Sequence, residues 1–369
     1  MVHKYEIGFL GGGQLARMSI MAAQRLGLRC LVLDSDPDSP AGQIADSVVG
    51  DIRSPEDIAK VLKACQTVTL ENEFVPAIAL QDALLEAGRE PKCLTPSVET
   101  MAVINDKLEQ RKVYAQHGVP TPVAMPIEAG PPKSFPCIAK QRFGGYDGKG
   151  TRTLNSKADF DVLLSQVKPG TWLVEDFIEF RREIAVMVAR PCLGSPVCFP
   201  TMETVQSGHV CDIVFPAESD ASETALRAVE AIGGFGLFGV ELFETTDGQT
   251  VVNEVAPRPH NSGHYTLDWG AVSQFEQHVR LVMGWPLGPV NGRPSAMANI
   301  LGPVSDGNLY MATKAALSTS DDVFVHWYGK PWRPGRKLGH INATGTECRH
   351  HAEAARLRFL SSWSSASTL

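Results

Sequence analysis

The run GVELFETTDGQTVVNEVAPRPHNSGH, from Gly239 to His264, restricts this chain more than any other stretch. Val240-Glu241-Leu242-Phe243 alternates apolar and polar side chains, Thr246-Asp247-Gly248 carries turn chemistry, and Val251 to Val255 resumes the strand, which predicts a hairpin. The alternation turns Glu241 away from Val240 and Leu242, and Glu254 away from Val255. Two carboxylates on one sheet face repel each other unless a cation lies between them, and a hard Mg²⁺ ion takes oxygen ligands of this kind. Arg258, His260, Asn261, Ser262, Gly263 and His264 follow as a dense polar run. A solvated hairpin with a polar loop is the competing account of a glutamate pair alone. The polar run and a glycine-rich loop upstream weigh against it.

A chain of 369 residues is too long for one core and predicts two or three domains. Hydrophobic residues at 43% and charged residues at 20% allow a sizeable core. The net charge of −7 argues against nucleic acid or a membrane surface as partner, while a local basic pocket for a phosphate is compatible with it. The eight cysteines are scattered without a C-x-x-C, several in apolar runs, which predicts reduced core thiols and neither disulfides nor a zinc site. Met1 to Lys4 leads straight into a strand, and no apolar run is long enough to span a bilayer, so a cytoplasmic protein is expected.

From the N-terminus, strand Glu6–Leu10, the turn Gly11-Gly12-Gly13-Gln14-Leu15-Ala16, a helix to about Leu26 and strand Arg29–Asp34 form a β-α-β unit. Gly11, Gly13 and Ala16, with Asp34 as the acidic residue, fit the dinucleotide spacing and alone would suggest a NAD-dependent oxidoreductase. A simpler use of the glycines is to let an anion approach the helix N-terminus. Glu71-Asn72-Glu73 ends the strand Thr67–Leu70 at its carboxyl end, the edge where open α/β sheets bind ligands. A helix from Asn105 to His117 carries Asp106 and Lys107, and Gly284 to Pro294 reads as a boundary. Beyond it come short strands, Met297–Leu301 and Val323–Tyr328, the basic run Lys330–Lys337, and a Ser-rich tail from Ser361 expected to fray.

Residues 142–150, RFGGYDGKG, lie between strands Cys137–Lys140 and Trp172–Ile178. Gly144, Gly145, Gly148 and Gly150 let the backbone fold over phosphates and present N–H groups to them. No G-K-[ST] closes the loop, so it is not the P-loop spacing. Tyr146, Asp147 and Lys149 alternate with the glycines, which argues against a plain hairpin tip.

Glu241, the Asn253-Glu254 pair and the run Ala256 to His264 resemble the metal and substrate end of ATP-grasp ligases. The resemblance is closest to the 5-(carboxyamino)imidazole ribonucleotide synthetase family of purine biosynthesis and covers residues 5–343. It implies an α/β ATP-grasp fold: a Rossmann-like parallel-sheet domain over 1–98, an ATP-grasp domain over 99–285 with a mobile subdomain at 121–177, and a small mostly-β domain over 286–369. It implies ATP-dependent carboxylation of 5-aminoimidazole ribonucleotide by bicarbonate through carboxyphosphate, with a lid that keeps water out.

Carried onto this sequence, Glu241 and Glu254 would bind Mg²⁺, and Lys107, Lys140, Asn253 and Glu254 would bind ATP together with the lid glycines Gly145, Gly148 and Gly150. The segment Glu175-Asp176-Phe177-Ile178 would meet the adenine edge and Glu183 the ribose, with Gln206 standing where related bacterial sequences carry a histidine. Arg258, His260, Tyr146, Asp147 and Lys149 would carry the chemistry. Gln14, Leu15, Glu73, Asn261 and Ser262 would hold the ribonucleotide, and Lys330, Arg336 and Lys337 its 5′-phosphate. The family is often dimeric, and some fungal relatives are fused to a carboxylase domain. A formate-using transformylase would share the glutamate pair and lid. A NAD enzyme would leave both without a use.

Overall fold

The computed structural model describes residues 3–145, 148, 150–208 and 210–363. Near the N-terminus, alternating apolar strands and amphipathic helices build a five-stranded parallel sheet. Its order is Asp46–Val49, Cys30–Asp34, Tyr5–Leu10, Cys65–Leu70, Leu94–Thr95. Side-chain alternation sends Leu10, Leu31 and Leu33 to one face, under helices Pro55–Ala64 and Ala77–Ala87. Ile7, Phe9 and Val32 go to the other, under helix Gln14–Arg25 and the distant helix Gln274–Val282. The helix Pro55–Ala64 starts where it does because Ser54 accepts from the Asp57 N–H and Pro55 needs no donor there.

A nine-stranded sheet forms the centre of the molecule. Its strand Phe180–Arg190 pairs antiparallel with Gly236–Thr245, which in turn pairs with Thr250–Ala256. Val186, Val188, Val240, Leu242 and Val252 point from these strands into a core closed by helix Ser222–Ala231. The strands Ser295–Leu301, Lys337–Thr344 and Val323–Trp327 extend the same sheet, because Ser295–Leu301 pairs with Val210–Pro216. Two helices absent from the sequence reading, Leu309–Leu317 and Cys348–Trp363, cover this end. The expected frayed tail is therefore corrected for Ser361 to Trp363, which complete a helix. Trp363 is only 2% exposed, stacks on Trp327 and Phe359, and donates its indole N–H to the Ser305 carbonyl.

A third, antiparallel sheet of four strands runs in the order Ala124–Pro126, Trp172–Asp176, Cys137–Gln141, Thr151–Leu154. With helix Lys157–Gln166 it encloses a core of its own, including Cys137, Ala139, Leu154, Phe160 and Trp172. The glycine-rich loop connects two of its strands. Gly150 has φ +81° there, and a Cβ would lie 2.7 Å from the Gln141 side-chain oxygen, so no other residue fits easily. The helix expected over 105–117 is present as Lys107–Gln116 and follows a separate helix, Val98–Ile104, capped by Ser97. Asp106 caps the second, accepting from the N–H groups of Leu108 and Glu109. All eight cysteines are free thiols.

Candidate active site

Between the small sheet and the central sheet lies a cleft of about 400 Å³. The small sheet and the segment after it contribute Lys140, Glu175, Asp176, Phe177 and Ile178. The central sheet contributes Glu183, Gln206, Glu241, Asn253 and Glu254, and the far end is formed by Glu73, Arg258, His260, Asn261 and Lys337. The hairpin expected from alternation is present, with Glu241 directly opposite Glu254 in register and Val240 opposite Val255. Part of the lining is apolar, from Ile138 and from Phe180 and Phe243, whose rings stack with centroids 4.5 Å apart. The sequence reading assigned none of the three to the site.

On the small-sheet side the charges are closed among themselves. Glu175, 3% exposed, receives Arg111 Nε at 2.9 Å and Lys140 Nζ at 2.5 Å. Burial alone would raise this carboxyl, but the two cations outweigh it and bring it down to about 2. Lys140 also donates to Asn253 Oδ1 at 3.1 Å, and Arg111 to the Asn253 carbonyl at 2.8 Å. The Glu175 side chain is thus engaged internally, and the Glu175–Ile178 segment has its main chain to offer a ligand. Arg111 was missed by sequence reasoning. Its place four residues after Lys107 sets both on one helix face, but that spacing does not separate it from a solvated basic face. Lys107 Nζ in turn meets Glu254 Oε1 at 3.0 Å.

The central-sheet side is different. Burial, then the charges of Glu254 and Glu183, push the Glu241 carboxyl up to about 8. Burial would also raise Glu254, but Lys107 prevails and holds it below the usual carboxylate range. Among the described residues no group of three or more His, Cys, Asp or Glu is disposed to hold a metal ion. Two carboxylates suffice for Mg²⁺, which usually keeps its waters and takes the rest of its oxygens from substrate phosphates. The facing carboxyl oxygens of Glu241 and Glu254 are a donor set that fits that ion.

His260 Nε2 lies 3.4 Å from Glu241 Oε1. Burial and the neighbouring Arg258 push the imidazole down to about 3, so it is neutral. The Ser262 N–H reaches Nδ1 at 3.4 Å and Ser262 Oγ lies 2.9 Å from it; a ring accepting there carries its proton on Nε2, toward Glu241. Ser262 is 2% exposed and engaged with His260 and Met187, so it does not line the cleft as a substrate ligand would. Gly239 is required in front of the ring, since a Cβ there would lie 2.4 Å from His260 Cβ. Arg258 grips Glu73 with two bonds, Nε at 2.5 Å and Nη2 at 2.8 Å.

The N-terminal glycine turn lies outside the cleft lining. Leu15 is a core side chain, and only its N–H faces the turn, 3.4 Å from Glu71 Oε1. Gly12 N–H donates to Asp34 Oδ2 at 2.6 Å. The chain's own carboxylates thus engage two of the amides that a dinucleotide would use, which weighs against the NAD reading. Gln14 begins the following helix. Lys330, Arg336 and Lys337 do cluster: burial lowers Lys330 to about 8 against the pull of Glu71, and the charges of Arg336 and Lys337 lower it further. Lys337 opens the strand Lys337–Thr344 instead of closing a loop. Gly145, Gly148 and Gly150 belong to the loop above Lys140, and of them Gly148 lines the cleft. Tyr146, Asp147 and Lys149 lie outside the described residues.

An ATP-grasp domain model matches residues 113–275, a ribonucleotide synthetase preATP-grasp domain model residues 4–105, and a phosphoribosylaminoimidazole carboxylase C-terminal domain model residues 295–354. The chain is 38% identical over 381 residues to an N5-carboxyaminoimidazole ribonucleotide synthase of Synechococcus elongatus, covering 97% of this chain and 95% of that protein. It is 36% identical over 370 residues to a phosphoribosylaminoimidazole carboxylase of Ogataea methanolica, covering 93% of this chain and 67% of that longer protein. A crystal structure of carboxyaminoimidazole ribonucleotide synthase from Aspergillus clavatus complexed with ATP superposes with a TM-score of 0.86 at 33% identity, over 97% of this chain and 99% of that one. An Aspergillus clavatus complex with ADP and 5-aminoimidazole ribonucleotide gives 0.85 at 32% identity, over 98% and 99%. The chain belongs to the N5-carboxyaminoimidazole ribonucleotide synthase family of ATP-grasp enzymes.

Proposed function

We propose that this cleft carboxylates 5-aminoimidazole ribonucleotide with bicarbonate at the expense of ATP, and that its two ends divide the work. The observation that carries the reading is the in-register pair Glu241 and Glu254, two carboxyl groups facing the same cleft. ATP lies along the cleft, its adenine near the apolar Ile138, Phe180 and Phe243 and against the main chain of 175–178. Glu183 takes the ribose hydroxyls, and Lys107 and Lys140 take phosphate oxygens. Glu241 and Glu254 would hold Mg²⁺, which when bound offsets charge on the phosphates.

A bicarbonate oxygen attacks the γ-phosphorus, the bond to the β,γ-bridging oxygen breaks, and ADP leaves carboxyphosphate. The exocyclic amine then attacks the carboxyl carbon, the C–O bond to phosphate breaks, and the amine loses a proton. Arg258, aimed by Glu73, presents positive charge to bicarbonate and the carboxyl group. His260 Nε2 is placed to hold or move a proton beside them. Asn261 faces the ribonucleotide, and Lys330, Arg336 and Lys337 meet its 5′-phosphate.

The test is ATP hydrolysis measured with 5-aminoimidazole ribonucleotide and bicarbonate, singly and together, with formate as a parallel arm. ADP and the carboxylated ribonucleotide should form in equal amounts only when both substrates are present. Product with formate and none with bicarbonate would overturn the reading. We further infer a cytoplasmic homodimer, which sedimentation of the purified protein and cell fractionation test; no described helix is long and apolar enough to cross a membrane.

A further inference from the structure

His260 can hold or move a proton beside the bicarbonate only if its ring is aimed, and its backbone is held from behind the cleft. We propose that Gln274 is the positioning residue for His260, a role that rests on the functional reading above. Gln274 opens the helix Gln274–Val282 and is completely buried, at 0% exposure. Its side-chain oxygen accepts the His260 N–H at 2.9 Å, and its Nε2 donates to the His260 carbonyl at 2.8 Å. The same Nε2 lies 2.9 Å from His264 Nδ1. Bonding both main-chain groups of one residue is how a strand holds its neighbour. Here a single amide does it, and the backbone of His260 cannot rotate without breaking both bonds.

The polar run is shaped to admit this amide. A Cβ at Gly263 would lie 2.5 Å from the Gln274 side-chain oxygen, so only glycine leaves room. The Gln274 N–H donates to Thr266 Oγ1 at 2.9 Å, and that hydroxyl donates to the Gly263 carbonyl at 2.6 Å, which fixes the glutamine in turn. Gly263 and His264 do not line the cleft; their use is to seat Gln274.

The same helix supplies a matched comparison. Gln277 makes an equivalent clamp on Gly288, donating to its carbonyl at 2.7 Å and accepting its N–H at 3.0 Å. Gly288 is not part of the cleft. Both clamps serve folding. Only that of Gln274 ends on a residue that faces Glu241.

The experiment compares Gln274→Leu with Gln277→Leu, and places Gln274→Leu in a His260→Asn background. Gln274→Leu should lower kcat by about 10- to 100-fold with KM for ATP unchanged, the scale expected when a reacting group is misplaced by an ångström or less. Gln277→Leu should lower Tm about as much as Gln274→Leu does and leave kcat at the level of the unmodified enzyme. In the His260→Asn background, Gln274→Leu should cost less than about 2-fold more, because it acts through His260. If Gln274→Leu does not fold, Gln274→Glu has the same shape and sets an oxygen against the His260 carbonyl, with the same expectations. Losses that multiply in the double variant, or an equal loss of kcat in Gln277→Leu, would overturn the proposal. An impaired His260→Asn beside a fully active Gln274→Leu would overturn it alone. Full turnover by His260→Asn would remove the role of His260 and this inference together.

Discussion

Glu175 and Glu241 line the same cleft from facing sheets, and their carboxyls are driven in opposite directions. Glu175 meets Arg111 and Lys140 and is brought down to about 2. Glu241 has Glu254 and Glu183 for neighbours and is pushed up to about 8. Both lose water on burial, and the difference is whether the chain supplies the countercharge. At Glu175 it does, with two side chains that also grip Asn253, so the small sheet is tied to helix Lys107–Gln116 and the central sheet. At Glu241 it does so too weakly, since Lys337 and Arg258 pull the carboxyl down but burial, Glu254 and Glu183 prevail. A carboxylate neutralised by its own chain is scaffold, whereas one left under-compensated in a cleft is suited to a charge that arrives.

The strongest way to break the comparison is at the hairpin pair. Glu254→Gln keeps the shape of the side chain and removes a carboxylate that an arriving cation would use. Turnover should fall by about 10²- to 10³-fold, the scale of losing one preorganised electrostatic contact, while the urea midpoint stays close to that of the parent protein. Near-normal turnover at modest Mg²⁺ in a folded Glu254→Gln protein would refute the metal assignment.

At the compensated end the expected damage is to the fold. Arg111→Met leaves Glu175 buried with one cation in place of two, and should cost about 3 kcal/mol of unfolding free energy by analogy with other broken buried pairs. The double variant Arg111→Met, Glu175→Leu should recover part of that loss, since the stranded charge goes too. If Arg111→Met instead kept its stability and lost turnover alone, the division between scaffold and site would be drawn in the wrong place.

The hairpin was legible because period-two alternation decides which face each residue takes, and Glu241 and Glu254 sit out of step with Val240, Leu242 and Val255. The glycine-rich loop was legible because residues such as Gly150 have backbone conformations and close contacts that leave a compositional mark. Arg111 was not, because a basic residue in KLEQRKVYAQ reads as a solvated face until Glu175, 64 residues away, is seen against it. The helix Cys348–Trp363 escaped for another reason. Its buried stripe, Cys348, Ala352, Ala355, Phe359 and Trp363, has helical spacing but begins with small residues and ends among serines, so bulk hydrophobicity gave no signal. The placement of Gln274 against His260 is a tertiary fact that no spacing within the sequence contains.

The basic run extends the comparison to a third kind of charge, cations gathered near one another. Arg336→Ala should raise KM for the ribonucleotide about 10-fold, as loss of one charged hydrogen bond predicts, and leave KM for ATP unmoved. A change in the ATP constant alone would move the run from the ribonucleotide to the nucleotide end of the cleft.

The smallest expected effect is a pH dependence at Lys330. Burial lowers its ammonium from 10.5 to about 8, and Arg336, Lys337 and Arg333 add to the shift against the opposing pull of Glu71. In the free protein the side chain is charged below about 8 and neutral above it. A neutral amine attracts a phosphate less, so kcat/KM for the ribonucleotide should fall roughly 3-fold between pH 7 and 8.5 while kcat holds. Lys330→Arg, which stays charged, should flatten that limb. Linkage gives an independent check with a fixed sign. Between about 8 and 10.5 the unfolded chain holds a proton at this lysine that the folded chain has released, so the free protein should gain stability as pH rises through that window. Addition of inorganic phosphate should restore the proton to the folded state and reduce that gain. A stability curve over this window that is the same for the parent protein and Lys330→Arg would show that Lys330 is an ordinary solvated lysine and that the cations do not await an anion there.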